Sequence, residues 1–119
     1  MVGEESCVGE RNFRNLLDEN FAGIDEALEK MAGRYLEIDC ACFTPNDERL
    51  ENIKALTANL HADGVIHYAL QFCMPYMMEA YKVAKAVGSI PFMRLETDYS
   101  MGDIGQLKTR VEAFLEMLS

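Results

Sequence analysis

The sequence predicts an α/β fold, a Rossmann-like or flavodoxin-like parallel sheet of three to four strands with helices on both faces. Two observations carry this. Short apolar runs alternate along the chain with longer segments whose apolar residues recur at three- and four-residue steps, and such alternation implies parallel pairing through right-handed crossovers. The central run from Val65 to Phe72 is almost continuously apolar, as a parallel strand buried on both faces requires, and Asp63-Gly64 punctuates its start. Half of the 119 residues are apolar, which makes residues 1–119 one domain with a sizeable core and leaves no room for a second.

The elements follow in order. Met1-Val-Gly is a short apolar start that reads as the end of a strand, and Ser6 and Gly9 give the next residues loop character. Phe13, Leu16, Leu17, Phe21, Ile24, Leu28 and Met31 keep helical spacing, with Asn20 and Gly23 dividing the run and Gly33 as its stop. Tyr35-Leu-Glu-Ile alternates briefly. Thr44 as N-cap, Pro45 at the first helical position and Asp47 three after the cap then predict a helix start, with Leu50, Ile53, Leu56 and Leu60 on one face.

After the central strand, Met74 is the expected N-cap and Pro75 the first helical residue, so that Cys73 sits in the bend between strand and helix. Met77, Ala80, Tyr81, Ala84 and Val87 line this helix, and Gly88 can end it in left-handed geometry. Ile90-Pro-Phe-Met-Arg-Leu-Glu reads as the next strand, its proline at the beginning. Ser100, with Asp103 three later, caps a last helix whose face is Ile104, Leu107, Val111, Phe114, Leu115 and Leu118. Three strands are legible in all.

Twenty acidic against eleven basic side chains give a formal net charge of −9, which argues against nucleic acid and against an anionic membrane surface as partners. No apolar run could span a bilayer, and the first residues lack the regions of a signal peptide, so a soluble, cytoplasmic protein is expected. In that compartment Cys7, Cys40, Cys42 and Cys73 are expected as thiols or metal ligands rather than disulfides. Cys40 and Cys42, two apart, are poorly placed to bridge each other. The absence of a C-x-x-C pair leaves a self-contained zinc or redox site without support.

Parallel strands bring Glu4 to Cys7, Cys73 to Tyr76 and Thr97 to Ser100 to one rim, the carboxyl edge where open α/β sheets bind ligands. Cys73 is the candidate with chemistry there, although a cysteine after a strand is commonly a small buried hydrophobe. Glu4, Glu5, Asp98 and Tyr99 read more simply as loop and capping residues. His61 falls at a helix end, His67 reads as a hydrogen-bonded sheet residue, and Met74, Met77, Met78 and Met93 read as core filling. Neither a Gly-x-Gly-x-x-Gly nor a Walker sequence is present.

Several stretches carry a resemblance. Glu4-Glu-Ser-Cys-Val-Gly-Glu-Arg-Asn-Phe, Arg34-Tyr-Leu-Glu-Ile-Asp-Cys-Ala-Cys-Phe-Thr-Pro-Asn with Arg49 following, Gln71-Phe-Cys-Met-Pro-Tyr, and Leu95-Glu-Thr-Asp-Tyr with Gly105-Gln-Leu-Lys-Thr-Arg-Val-Glu-Ala-Phe-Leu-Glu-Met-Leu are similar to the C-terminal domain of the 2-hydroxyacyl-CoA dehydratase and benzoyl-CoA reductase family, the 2-hydroxyglutaryl-CoA dehydratase D-component among them. The resemblance covers nearly the whole chain. It implies a [4Fe-4S] cluster held by cysteines between domains of a much longer subunit, with Cys73 as the metal ligand from this domain and the other ligands outside this chain. In the complete enzymes an ATP-hydrolysing activator protein passes one electron to the cluster. The cluster relays it to the thioester carbonyl, and the ketyl radical anion expels the hydroxyl group. A reductase branch uses similar electrons on an aromatic ring, a related branch carries larger clusters and reduces other small molecules, and no ligand role passes to Cys7, Cys40 or Cys42, which read as packed or loop thiols.

The resemblance therefore implies a fragment or subunit of an iron–sulfur lyase or reductase, contributing one cluster ligand and part of the acyl-CoA site and inactive alone. The isolated chain is expected to hold no cluster. The alternative is a cluster-free α/β domain acting as an interaction module or remnant. Relatives also carry a strand and helix ahead of Glu4 within the same domain. This chain would then begin at the second strand, and its open sheet edges would be closed by a homo-oligomer, a dimer first of all, through Met1 to Glu5 and Gly64 to Phe72.

Overall fold

The computed structural model describes every residue but Val8, and Glu10 by its backbone alone. Among the described residues, helices α1 (Ile24–Leu36), α2 (Asp47–Asn59), α3 (Met74–Val87) and α4 (Ile104–Leu118) accompany strands β1 (Val65–Leu70) and β2 (Phe92–Thr97). Single 3-10 turns lie at Glu10–Asn12 and Met101–Asp103. The strands pair in parallel, from Val65 opposite Phe92 to Leu70 opposite Thr97, and α3 makes the long connection that parallel pairing needs. The ladder reaches one residue beyond each end, where the Val65 N–H donates to Pro91 O at 2.8 Å and the Gln71 N–H to Thr97 O at 2.7 Å.

The core lies between this sheet and α2 and α3. Ile53, Val83 and Val87 are buried together, with Leu50, Val65, Ile90 and Phe92 packed against them. Burial of each such side chain contributes about 1.5–3 kcal/mol. The helical spacing of Ile53 after Arg49 and of Val83 and Val87 after Glu79 supplies these contacts and also carries the two charged side chains inward.

Two strands are found where three to four were expected. Met1-Val-Gly takes no regular secondary structure and makes no ladder bond with β1 among the described residues. Side chains hold this segment instead, with Gly3 lying against Leu60 and Leu56 and Glu5 reaching Arg49. The expectation that β1 is buried on both faces also fails. His67 and Ala69 are buried, whereas the alternate residues Ile66, Tyr68 and Leu70 are exposed, because nothing among the described residues covers that side of β1.

Helix boundaries differ in instructive places. α2 begins at Asp47 with Asn46 as its N-cap residue, and Pro45 lies outside the helix after a cis Thr44–Pro45 bond. The Asn46 side chain makes no capping bond; its Nδ2 donates to Glu79 Oε1 at 2.5 Å. Cys73, not Met74, is the N-cap residue of α3, and Gly88 ends that helix at φ 69° as expected. Ser100 leads into the 3-10 turn before α4, where the carboxylate of Asp98 accepts its N–H at 2.7 Å. Of the α4 face only Phe114 is buried, and it lies against Gly64 together with Leu118.

The largest departure is the N-terminal third. Phe13 to Gly23 is irregular, and the helix begins only at Ile24 and runs through Gly33 to Leu36. α1 buries no residue, and its stripe of Ile24, Leu28, Met31 and Tyr35 faces outward. Polar contacts tether it: Arg34 donates to the carbonyls of Asn15 at 2.5 Å and Asn12 at 2.9 Å, and Lys30 pairs with Asp18 at 2.7 Å. The Lys30 ammonium, helped by Asn20, holds the Asp18 carboxyl down at about 2. The resulting shape is elongated, 56 × 30 × 24 Å with a radius of gyration of 17.2 Å. A compact chain of this length has a radius of about 13.5 Å.

Lacking apolar burial, α1 should open independently of the core. Amide exchange in α1 is expected to be much faster than in α3, and limited proteolysis should cut first between residues 13 and 46. Equal protection of the two helices would show that α1 is held by more than its polar tethers.

Candidate functional site

At the carboxyl edge of β1 the N-terminal segment, α2 and α3 meet around buried charges. The Glu5 carboxylate takes Arg49 Nη2 at 2.8 Å on one oxygen and Arg11 on the other, where Arg11 Nε donates at 2.6 Å. Arg49 Nη1 pairs with Glu79, whose second oxygen accepts from Asn46. Arg49 is only 1% exposed, and the other three charged side chains are nearly as deeply buried. Two cations and two anions balance, which is the condition under which such groups tolerate removal from water.

Tyr76, in the first turn of α3, is the hinge of the arrangement. Its ring lies beneath the Arg49 guanidinium, 5.0 Å from the centroid, and stacks on His67 at 4.5 Å. Its hydroxyl donates to the Glu5 carbonyl at 3.4 Å, and burial followed by the Glu5 charge pushes its ionisation up. His67 was expected to be hydrogen-bonded. Both ring nitrogens are instead buried without a partner among the described residues, between Tyr76 and Phe92, and burial, then the Arg49 charge, pulls the imidazole below its ordinary value.

The two strands end level, and each is followed two residues later by an aromatic in left-handed backbone geometry, Phe72 at φ 69° and Tyr99 at φ 67°. For bulky residues this conformation is costly, and such strain gathers at functional edges. Both rings are largely solvent-exposed, 88% and 78%. Cys73 follows Phe72 with an exposed sulfur, its N–H donating to Leu70 O and its carbonyl accepting the first helical bond from Met77, both at 3.0 Å. The structure thus brings Glu5 and Tyr76 into contact and ties Gln71 to Thr97 on the same rim.

The remaining cysteines gather near Arg11. Arg11 Nη1 lies 3.9 Å from Cys7 Sγ. Interaction with the neighbouring Cys42, opposed by burial and aided by the Arg11 and Arg49 charges, draws the Cys40 thiol below its ordinary value. Donation to Cys40 pushes the Cys42 thiol up. Among the described residues no three Cys, His, Asp or Glu side chains stand close enough to hold a metal ion.

Sequence reasoning missed Arg11, Asn46 and Glu79 and read Glu5 as an ordinary loop residue. A signal existed: Arg49 precedes Ile53 by four positions and Glu79 precedes Val83 by four, so both charges sit on apolar helix faces where nothing solvated belongs. Arg49→Met should therefore cost about 3–5 kcal/mol in urea unfolding, because it leaves the buried Glu79 carboxylate without a cation and Glu5 with Arg11 alone. A loss below about 1 kcal/mol would show that water already reaches them. The lowered pKa of His67 makes the unfolded chain take its proton first, so stability should decline as pH falls below 6.5. In His67→Phe that part of the decline should vanish, and an unchanged slope would assign it elsewhere.

Comparison with known proteins places this geometry. A family model described as 2-hydroxyglutaryl-CoA dehydratase, D-component, matches residues 1–118. YjiM of Escherichia coli (strain K12) is 37% identical over 121 residues, covering 99% of this chain and 30% of its own length. The (R)-phenyllactyl-CoA dehydratase beta subunit of Clostridium sporogenes is 28% identical, covering 99% of this chain and 31% of its own length. The (R)-2-hydroxyglutaryl-CoA dehydratase subunit beta of Acidaminococcus fermentans is 30% identical over 102 residues, 80% of this chain and 27% of its own. The chain spans under a third of the length of these relatives. With the match running almost end to end, the chain belongs to the 2-hydroxyglutaryl-CoA dehydratase D-component family.

Proposed function

We propose that this chain is the Cys73-bearing part of an iron–sulfur enzyme of the 2-hydroxyacyl-CoA dehydratase or benzoyl-CoA reductase type. It contributes one cluster ligand and part of the acyl-CoA site and is inactive without the polypeptide that supplies the other ligands. The observation that carries the reading is the family match over residues 1–118, with Cys73 exposed at the carboxyl edge of the parallel pair. The family membership weighs against a cluster-free interaction module.

The donor chemistry fits one corner of a four-iron cluster and no more. An exposed thiol beside a helix start is a suitable iron ligand, whereas a [4Fe-4S] cluster takes about four. When bound, the cluster supplies single electrons to a thioester. This chain's residues fix the position of that ligand: Arg49 and Glu5 hold Tyr76, and Tyr76 holds the first turn of α3, which starts at Cys73.

Partner subunits and an ATP-dependent activator belong to the same proposal, as does association of the isolated chain. The free edge of β1, with Ile66, Tyr68 and Leu70 exposed beside it, and the exposed Met1 and Val2 favour a homodimer through these segments. Sedimentation equilibrium at micromolar concentration should show it. A monomer with strongly protected amides from Val65 to Leu70 would exclude it.

Anaerobic reconstitution of the isolated chain with iron and sulfide should leave it nearly iron-free. In the complete assembly Cys73→Ser should lose cluster and activity, while Cys42→Ser should cost mainly packing. Stoichiometric, Cys73-dependent iron in the isolated chain would defeat the partner requirement, and equal iron loss in the two variants would defeat the assignment of Cys73 alone.

A further inference from the structure

His67 is the polar group that the charge network leaves out. It lies between Tyr76 of α3 and Phe92 of β2, is only 3% exposed, and has no hydrogen-bond partner at either ring nitrogen among the described residues. Tyr76 covers it from the α3 side, with the two ring planes 25° from parallel and their centroids 4.5 Å apart. Phe92 flanks it at 5.9 Å.

The surroundings keep this imidazole neutral. From α2, Arg49 lies over the same Tyr76 ring, 5.0 Å from its centroid, and its charge opposes another cation. From β2, Arg94 opposes it as well and is itself paired with Glu96. From α3, the Glu79 carboxylate favours a proton on His67, but its two oxygens are already taken by Arg49 and Asn46. Glu5, in the N-terminal segment, is likewise held by Arg11 and Arg49. A proton on His67 therefore adds a third cation to a balanced set of four charges, at a place where neither N–H finds an acceptor. Uncovering the ring relieves this, and Tyr76 is the cover that can move. The other side is fixed by the β1–β2 ladder, whereas Tyr76 belongs to the first turn of α3, and its one side-chain hydrogen bond is the 3.4 Å contact with the Glu5 carbonyl.

We propose that Tyr76 is an acid-released lid over His67: in mildly acid solution His67 takes a proton from solvent, the stack parts, and the first turn of α3 moves away from β1 while the core stays closed. The core of Ile53, Val83 and Val87 lies further along α3 and keeps its apolar contacts, which separates this release from acid unfolding. The direction follows from linkage. In the open state the imidazole titrates at its ordinary 6.5, and in the closed state lower, through burial first and the Arg49 charge next. Each proton bound therefore favours the open state, so closure is complete above 6.5 and weakens as pH falls below it.

The test is amide exchange by NMR on the full chain between about pH 7 and pH 5, with each rate corrected for the intrinsic effect of pH, together with titration of the His67 ring protons. The Met77 N–H, which donates to the Cys73 carbonyl, reports the first turn of α3. Its opening should become several-fold easier on acidification and no more than about 25-fold, the ceiling for an imidazole that titrates at 6.5 once open. Sub-denaturing urea at the acid end should leave exchange at Met77 unchanged while it accelerates exchange at Val87. The His67 ring should titrate below 6.5, and in His67→Phe the pH effect at Met77 should vanish. A ring midpoint at 6.5 or above, an opening at Met77 indifferent to pH, or a pH effect that persists in His67→Phe overturns the proposal. So does exchange at Met77 that rises with urea as steeply as at Val87, since the release would then be global unfolding. The ring titration and the urea series need no variant, so they decide the matter even where His67→Phe fails to fold.

Discussion

The Glu5 carboxylate, held between two buried guanidinium groups, is the interaction on which the rest of this structure depends. It links the N-terminal segment to α2 through Arg49 and, by way of Arg49 and Glu79, to α3. The arrangement survives burial because the charges cancel and each carboxylate oxygen has a donor. Its effect is positional. Arg49 lies over Tyr76, Tyr76 reaches back to the Glu5 carbonyl, and the start of α3 is fixed relative to both parallel strands.

Much of the fold was legible because it is local. β1, α3, β2 and α4 announce themselves through apolar spacing and through Pro75 and Gly88, and their boundaries fall within a few residues of the sequence reading. The N-terminal third was not legible in the same way. Phe13, Leu16 and Phe21 keep helical spacing yet are exposed in an irregular segment, since periodicity shows which face wants burial and not whether a partner exists. The same reasoning explains the missing strand: Met1-Val-Gly is apolar, but it lies against Leu56 and Leu60 rather than beside β1.

The site was legible in outline only. Cys73 and the rim could be placed from strand order, whereas the charge network joins residues far apart in sequence and each member looks ordinary alone. Arg49 and Glu79 were readable only as charges on apolar helix faces. The stacking of His67 on Tyr76 left no trace in the sequence, because a single histidine in a strand carries no information about what lies above it. The uncovered face of β1 and the bare stripe of α1 agree with a chain spanning under a third of its relatives' length.

The sequence separations in the network also govern the order in which the chain can fold. Glu5 meets Arg49 across 44 positions and Tyr76 across 71, and Arg49 meets Glu79 across 30. Contacts of this range form late, after loop-closure entropy has been overcome by the local helices and the parallel pair. Glu5 precedes Arg49 and Tyr76 in the chain, so its contacts with them wait until those later residues have been made. A nascent chain halted before Glu79 lacks the carboxylate that pairs with Arg49 and so has no means of closing the rim.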